Sequence, residues 1–564
     1  MFHLDGKARG KGPGLVLLAA LPVCLGLLAA CAGPADQQAF DRSWLESVED
    51  LSESLANDLL ALSVALRDKD LYSIGEYFDE RITASPLPVS PGPTEPVVKW
   101  VLRHGWREGG QAARAITRKE FLIELSALLR HFPVLEDARV KVKEAKFSDP
   151  TTGNARVKFF LIGRDPEGRR EWLKGTGRIE VVRSEEGPWR IGRFETDKME
   201  SKLSAVDLFS EVALPARVAA LFPPFGVPPN LGFAAHGAAA GDVNGDGLLD
   251  LAASGVEQNY LYLNEGDGRF RDLSEESLVR YAPIGTGTLF VDYDNDGDQD
   301  LFFAAIGNQV LLENRWIPDG EIRFWDVSET ANVAVEAIGF SAAAADVNGD
   351  GNQDIYVASY NRYGEVMPNA WHRATNGTRN LLFVNRGDGT FLEAAAGWGV
   401  DDGRWTYAAA FVDIDADGDQ DLYVANDFGE NALYRNDGDR FSEVADAWGV
   451  VDPGFGMGIS FGDYDNDGDL DLHVTNMSSI AGARILGRLY PEESADGRFL
   501  NKLAAGNSLY ENDGRGHFEE VAARSGIFPA GWAFGGGFVD FDNDGWEDLY
   551  TPNGFISGKS MKDT

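Results

Sequence analysis

Six short acidic loops hold the residues best suited to chemistry in this 564-residue chain. Each places an oxygen-bearing side chain at its first, third, fifth and ninth positions and glycine at its sixth. The first positions are Asp242, Asp292, Asp346, Asp413, Asp463 and Asp540, and the third are Asn244, Asp294, Asn348, Asp415, Asp465 and Asp542. The fifth are Asp246, Asp296, Asp350, Asp417, Asp467 and Asp544, and the ninth are Asp250, Asp300, Asp354, Asp421, Asp471 and Asp548. Alternate side chains of such a loop converge on one point, and the glycine permits the sharp turn this requires. A hard divalent cation takes six to eight oxygens at about 2.3–2.6 Å, and an Asn oxygen can replace a carboxylate among them. These residues imply calcium, about six ions for six loops.

The elements that position the loops are strands. A helical calcium site would carry glutamate at position 12, where this chain has Ala253, Phe303, Val357, Val424, Val474 and Thr551. The flanks alternate with a period of two, as in residues 421–426, which is strand spacing. Around each loop a longer unit repeats: a small or apolar run, the loop, an alternating strand, an Asn-x-Leu-Tyr-x-Asn run and a Phe-x-Glu-Val-Ala strand. The Asn-x-Leu-Tyr-x-Asn run stands at 259–264, 431–436 and 507–512, with Phe for Tyr at 380–385 and a degenerate copy at 308–314. Four short strands per unit signal a propeller blade. Residues 209–213 repeat the Phe-Ser-Glu-Val-Ala of 441–445, so they are expected to supply an out-of-order strand that closes the ring.

The pattern Asp-x-Asp-x-Asp-Gly-x-x-Asp between strands resembles the FG-GAP or VCBS repeat, the calcium-bearing blade of integrin-alpha-type propellers. The run from Trp405 through Asp413 to Asn436 is similar to the cartilage acidic protein and UnbV-related group. The resemblance covers about residues 230–554 of a repeat domain read over 230–564, and it implies six or seven blades. It also implies that the backbone carbonyl of loop position 7 joins the ligands, here Leu248, Asp298, Asn352, Asp419, Asp469 and Trp546. The sixth loop is not followed by an Asn-x-Leu-Tyr strand, so the array is expected either to close with N-terminal strands or to be incomplete at its C-terminus.

Upstream, Lys7, Arg9 and Lys11 precede an apolar run from 15 to 30, too short for a membrane span of roughly 20 residues. Leu28-Ala29-Ala30-Cys31 resembles a bacterial lipobox, which implies a signal peptide over 1–30, lipidation of Cys31 and a linker over 31–40. Ala32 after the cysteine implies the outer membrane. Residues 41–201 lack the repeat and read as a small α+β domain: two helical stripes, a Pro-rich loop at 86–96, then strands near 139–147, 155–163, 171–182 and 189–196. This element order resembles the SnoaL-like, nuclear transport factor-like roll. His104, Trp106 and His131 are its candidate chemical residues, and no acid or base accompanies them at a legible spacing. Residues 202–229 form a connector.

The net charge is -39, and 26 of the 90 acidic residues lie inside the six loops, so metal sites account for much of the excess. An acidic chain lacks the basic footprint of a nucleic-acid binder. With Cys24 inside the expected signal peptide, no disulfide framework is available. Gly458-Ile459-Ser460-Phe461-Gly462 spells a nucleophile elbow but runs straight into a metal loop, where no strand-to-helix turn can form. Asn376-Gly377-Thr378 spells a glycosylation site. The reading is a non-enzymatic calcium-binding propeller of the cell envelope that engages a protein or glycan ligand. The competing reading is an envelope hydrolase or lyase that uses the propeller as scaffold. Insertions at 359–379 and 477–506, the second with a short helix expected over 480–489, are either where a binding face collects or tolerated loop growth with no partner.

Overall fold

In the computed structural model, the residues described are 42–552 except 108–111, 185–186, 205, 208, 220–236, 256, 363–364, 480–481, 483–485, 487–494 and 528–530. The expected signal peptide, Cys31 and the linker lie outside the described residues, as does most of 480–489. Two compact units are present, Pro34–Glu211 and Val212–Ile556.

The first unit is α+β. Helix α1 (Arg42–Arg67) buries Leu55, Leu59, Leu62 and Leu66, which recur three or four residues apart and so share one face. A short helix α2 (Leu71–Glu76) starts at Asp70, whose side chain accepts from the amides of Tyr72 and Ser73. Helix α3 (Arg118–Leu129) opens with a capping box of Thr117 and Glu120. Eight strands follow in chain order around these helices: β1 (Phe78–Ala84), β2 (Thr94–Val98), β3 (Val101–Arg107), β4 (Arg114–Thr117), β5 (Val134–Asp149), β6 (Thr152–Arg164), β7 (Arg170–Val182) and β8 (Arg190–Ser204). They form one sheet in the order β2-β3-β8-β7-β6-β5, with β1 joined to β8 and β4 to β1. Strands β6 and β7 alternate buried and outward residues, and their inward set merges with the helices in one core. The loop expected over 86–96 is shorter than its sequence suggests. Thr94–Val98 is a strand that contains Pro96, tolerated because β2 is an edge paired on one side only.

The second unit is an array of blades. Five are antiparallel sheets: four have four strands, and the third has a fifth, Ile306–Asn308, which leaves the second blade between its second and third strands and pairs with the inner strand Glu336–Ala345. Their inner strands are Ala238–Gly241, Gly287–Val291, Glu336–Ala345, Trp405–Val412 and Gly456–Gly462. A sixth pair, Gly537–Val539 with Asp548–Tyr550, flanks the last loop. Apolar clusters lie between successive blades. Leu301 and Phe303 of the second meet Ala252 and Leu261 of the first, and Leu422 and Val424 of the fourth meet Tyr356 and Leu382 of the third. Most of the buried apolar clusters among the described residues draw on two neighbouring blades, so the blades stabilise one another. The inner strands are rich in Ala and Gly because they converge. A Cβ on Gly287 would lie 2.7 Å from the Ser341 Cα, and one on Gly458 would lie 2.9 Å from the Gly535 Cα.

Residues 209–213 form no strand among the described residues. The repeat likeness of this segment continues instead in the turn that follows. Val218 N donates to Ala213 O at 2.9 Å, as Val450 N does to Ala445 O at 2.9 Å and Ile527 N to Ala522 O at 3.0 Å. Arg217 is left-handed (φ 64°), as are Gly449 (84°) and Gly526 (75°) at the same place. Ala216 O accepts from Phe270 N at 3.0 Å, as Ser277 O accepts from Phe324 N at 2.9 Å. The segment is thus the turn of a repeat unit, docked on the outer strand of the first blade.

Candidate metal centres

Each acidic loop joins the inner strand of a blade to its second strand, and its own backbone holds its carboxylates in place. The first aspartate accepts from the amide of the sixth-position glycine at 2.7–3.1 Å in all six loops. The fifth accepts from the amide of position 7 at 2.9–3.1 Å. Two positions are left-handed. The sixth is always glycine, with φ between 85° and 100°, and the fourth is Gly245, Asn295, Gly349, Ala416, Asn466 or Asn543, with φ between 54° and 70°. Glycine and asparagine tolerate that conformation best. The constraint at position 4 was readable in the sequence as a Gly/Asn preference and was missed there.

Position 9 does more than face a cation. Asp250, Asp300, Asp354, Asp421 and Asp471 are each at most 1% exposed. One oxygen accepts the amide of loop position 2, and the other accepts the amide of the asparagine that ends the third strand, at 2.7–3.3 Å across the five loops. Burial pushes the Asp300 carboxyl up to about 9 and those of Asp421 and Asp471 up to about 7, against the pull of these amides.

The loops bring together Asp292, Asp294 and Asp300; Asp413, Asp415 and Asp417; Asp463, Asp465 and Asp471; and Asp540, Asp542 and Asp544. In each group the carboxylate oxygens lie within 4.8 Å of one another, close enough to share a metal ion. Buried oxygens of Asp292, Asp298, Asp415, Asp419 and Asp465 have no hydrogen-bond partner. A buried carboxylate oxygen without a donor is costly, and a cation is the partner that would satisfy several at once, so the residues fit one. The loops at Asp242 and Asp346 differ. Their third-position amides, Asn244 and Asn348, each donate to the fifth aspartate at 3.0 Å. At position 7, Trp546 is 55% exposed, which leaves only its backbone for a ligand role. Asp298 is buried there and accepts the amide of Ile317 at 2.7 Å.

A second cluster lies in the α+β unit, where the sequence shows His104, Trp106 and His131 without an acid. The structure supplies Glu171, fully buried on β7. His131 Nε2 lies 2.5 Å from one oxygen of Glu171. Trp106 Nε1 donates to the other oxygen at 3.2 Å, the Ser201 hydroxyl donates to it as well, and His104 Nδ1 stands 3.6 Å away. Thr94 Oγ1 holds His104 Nε2 at 2.7 Å. Hydrogen bonds to the anion outweigh burial and hold the Glu171 carboxyl below the usual range. A glutamate at an inward register of an alternating strand was the available signal, and only tertiary contact shows what it meets.

The remaining motifs are structural. Ser460 lies within the inner strand Gly456–Gly462, so the elbow spelling makes no elbow. The Asn376 side chain accepts from Trp405 Nε1 at 3.0 Å and donates to Met367 O at 2.9 Å, so the sequon asparagine is engaged internally.

The FG-GAP-like repeat matches residues 242–303, 292–357, 370–424 and 413–474. Cartilage acidic protein 1 of Homo sapiens is 27% identical over 272 residues, covering 35% of this chain and 40% of the human protein. The Xenopus tropicalis protein of the same name is 29% identical over 146 residues, covering 23% of this chain and 21% of its own. The chain thus spans well under two thirds of these relatives. Among solved structures, an Agrocybe aegerita lectin, described for recognition of non-reducing terminal N-acetylglucosamine, aligns over 84% of this chain and 99% of its own at 12% identity and a TM-score of 0.30. A ketosteroid isomerase-like protein of Erwinia carotovora aligns over 26% of this chain and 95% of its own at 11% identity and a TM-score of 0.19. Residues 242–357 and 370–474 thus carry FG-GAP-like repeats in four copies, set on blades that each hold an aspartate loop.

Proposed function

We propose that the chain is a calcium-stabilised propeller, anchored in the bacterial cell envelope through Cys31, that serves as a non-enzymatic scaffold for a protein or glycan ligand. The observation that carries the calcium reading is the set of buried, unpartnered carboxylate oxygens in the loops at Asp292, Asp413 and Asp463. Carboxylates held this close repel one another until a cation neutralises them, and neighbouring blades share most of their apolar core, so ion binding becomes folding free energy. What supports a non-enzymatic role for the α+β unit is that both Glu171 oxygens are engaged by His131, Trp106 and Ser201. A carboxylate so occupied acts as a structural pin.

The test is thermal unfolding of the protein across a calcium titration, with chelator controls. Sites of extracellular type bind at about 10⁻⁴–10⁻³ M. One ion per site at a hundredfold excess over its Kd stabilises by about 2.7 kcal/mol. A saturable rise in Tm, abolished by chelator, is expected. An unchanged Tm up to 10 mM calcium (about ten times the weak end of that range) would sink the calcium reading.

A further inference from the structure

In the second to fifth blades, the asparagine that ends the third strand links its own metal loop to that of the preceding blade. Asn314 Nδ2 donates to Val243 O at 2.9 Å, and Asn385 Nδ2 donates to Tyr293 O at 2.7 Å. Asn436 Nδ2 reaches Val347 O at 2.9 Å, and Asn512 Nδ2 reaches Ile414 O at 3.3 Å. Each acceptor is position 2 of the preceding loop, the residue whose own amide donates to that loop's ninth-position aspartate. The backbone amide of each asparagine donates to the ninth aspartate of its own blade. Hydrogen bonds therefore run without a break from Asp250 through Val243, Asn314, Asp300, Tyr293, Asn385, Asp354, Val347, Asn436, Asp421, Ile414 and Asn512 to Asp471. Adjacent loops also touch directly. Asn295 Nδ2 donates to Asn352 Oδ1 at 2.9 Å, and Asn466 Nδ2 donates to Gly545 O at 3.1 Å.

We propose that Asn314, Asn385, Asn436 and Asn512 are positioning residues that couple neighbouring metal loops, so that cations load cooperatively along the array. The proposal rests on the calcium reading above. An ion that anchors the ninth aspartate fixes the amides of position 2 and of the strand-end asparagine, and that asparagine then holds the preceding loop's second residue in its ion-ready place. All four asparagines are at most 4% exposed, so water does not compete for the bonds. Asn264 of the first blade is the internal contrast. It donates to Leu249 O at 3.0 Å and to Asp250 through its amide at 2.7 Å, and among the described residues it meets no preceding-blade carbonyl.

The test titrates the full chain with calcium chloride, counting bound ions by equilibrium dialysis and following the midpoint and steepness by calorimetry. Wild type is expected to show a Hill coefficient above one. Asn436→Asp keeps the acceptor for Gly438 but loses the donor to Val347, and Asn385→Ala removes the side chain. Both are expected to flatten the titration toward a Hill coefficient of one and raise the midpoint by a factor within the roughly 5–150-fold that coupled sites show. Asn264→Asp should weaken its own loop without flattening the curve. A wild type that binds no calcium overturns the calcium reading and this inference together. Calcium binding with a Hill coefficient of one in wild type, or Asn436→Asp and Asn385→Ala curves as steep as wild type, overturns the coupling alone.

Discussion

Removing calcium at different pH values tests the electrostatics of the loops most directly. Burial raises the carboxyls of Asp300 (to about 9), Asp421 and Asp471 (each to about 7) above the ordinary carboxylate range. A group with a raised folded pKa holds its proton more tightly folded than unfolded. Its contribution is fully present below the unfolded value, near 4, and is lost as pH rises through the folded value. His473 acts in the opposite sense: burial lowers it to about 4, so stability rises with pH between about 4 and 6.5. Above pH 6.5 His473 no longer contributes, and in the window from pH 6.5 to 8.5 the opposing group is Lys158 of the α+β unit, which burial lowers to about 8 and which offsets about 1 kcal/mol of the carboxylate loss. There Asp421 and Asp471 each lose about 1 kcal/mol and Asp300 about 2–3 kcal/mol, together on the order of 4 kcal/mol. Chelated protein should lose several degrees of Tm across this window, and calcium-saturated protein should stay nearly flat, because the ion replaces the protons. Differential scanning calorimetry in matched buffers reads both curves. A chelated Tm that is flat or rises with pH would refute the claim that these buried carboxylates lack a compensating charge.

Three further outcomes are expected. Glu171→Gln breaks a buried pair with His131 and should destabilise the α+β unit by about 3–5 kcal/mol, read as lost amide protection in that unit by hydrogen exchange. His473→Phe removes a buried imidazole whose nitrogens have no partner, so the fall in Tm between pH 6.5 and 4.5 should become shallower. Cys31→Ser should move the protein from the membrane fraction to the soluble one and abolish incorporation of a labelled fatty acid. Retention in the membrane fraction would argue against a lipid anchor.

Much of the repeat region is legible because its chemistry is local. Loop ligands lie within nine residues, and strand alternation is visible in any blade, so Asp463 to Asp471 announces both a cation and a turn between strands. Gly/Asn at position 4 belonged to the same local code. The strand expected at 209–213 was misplaced because pairing depends on a neighbour, whereas the turn at Ala216 is encoded within a few residues. The cluster around Glu171 was hidden for the opposite reason: Trp106, His131 and Ser201 reach it from 65, 40 and 30 residues away. The strand-end asparagines spell a repeat in the sequence, but their acceptors lie 71 to 98 residues upstream. What the chain by itself determined is the repeated unit, the ligand set and the strand period, all fixed by short-range sterics and spacing. What only the tertiary structure decided is which carboxylates are buried, which acid joins the histidines and which loop each asparagine holds, because burial and partner choice arise only when blades pack side by side and when the strands of the α+β unit come together in one sheet.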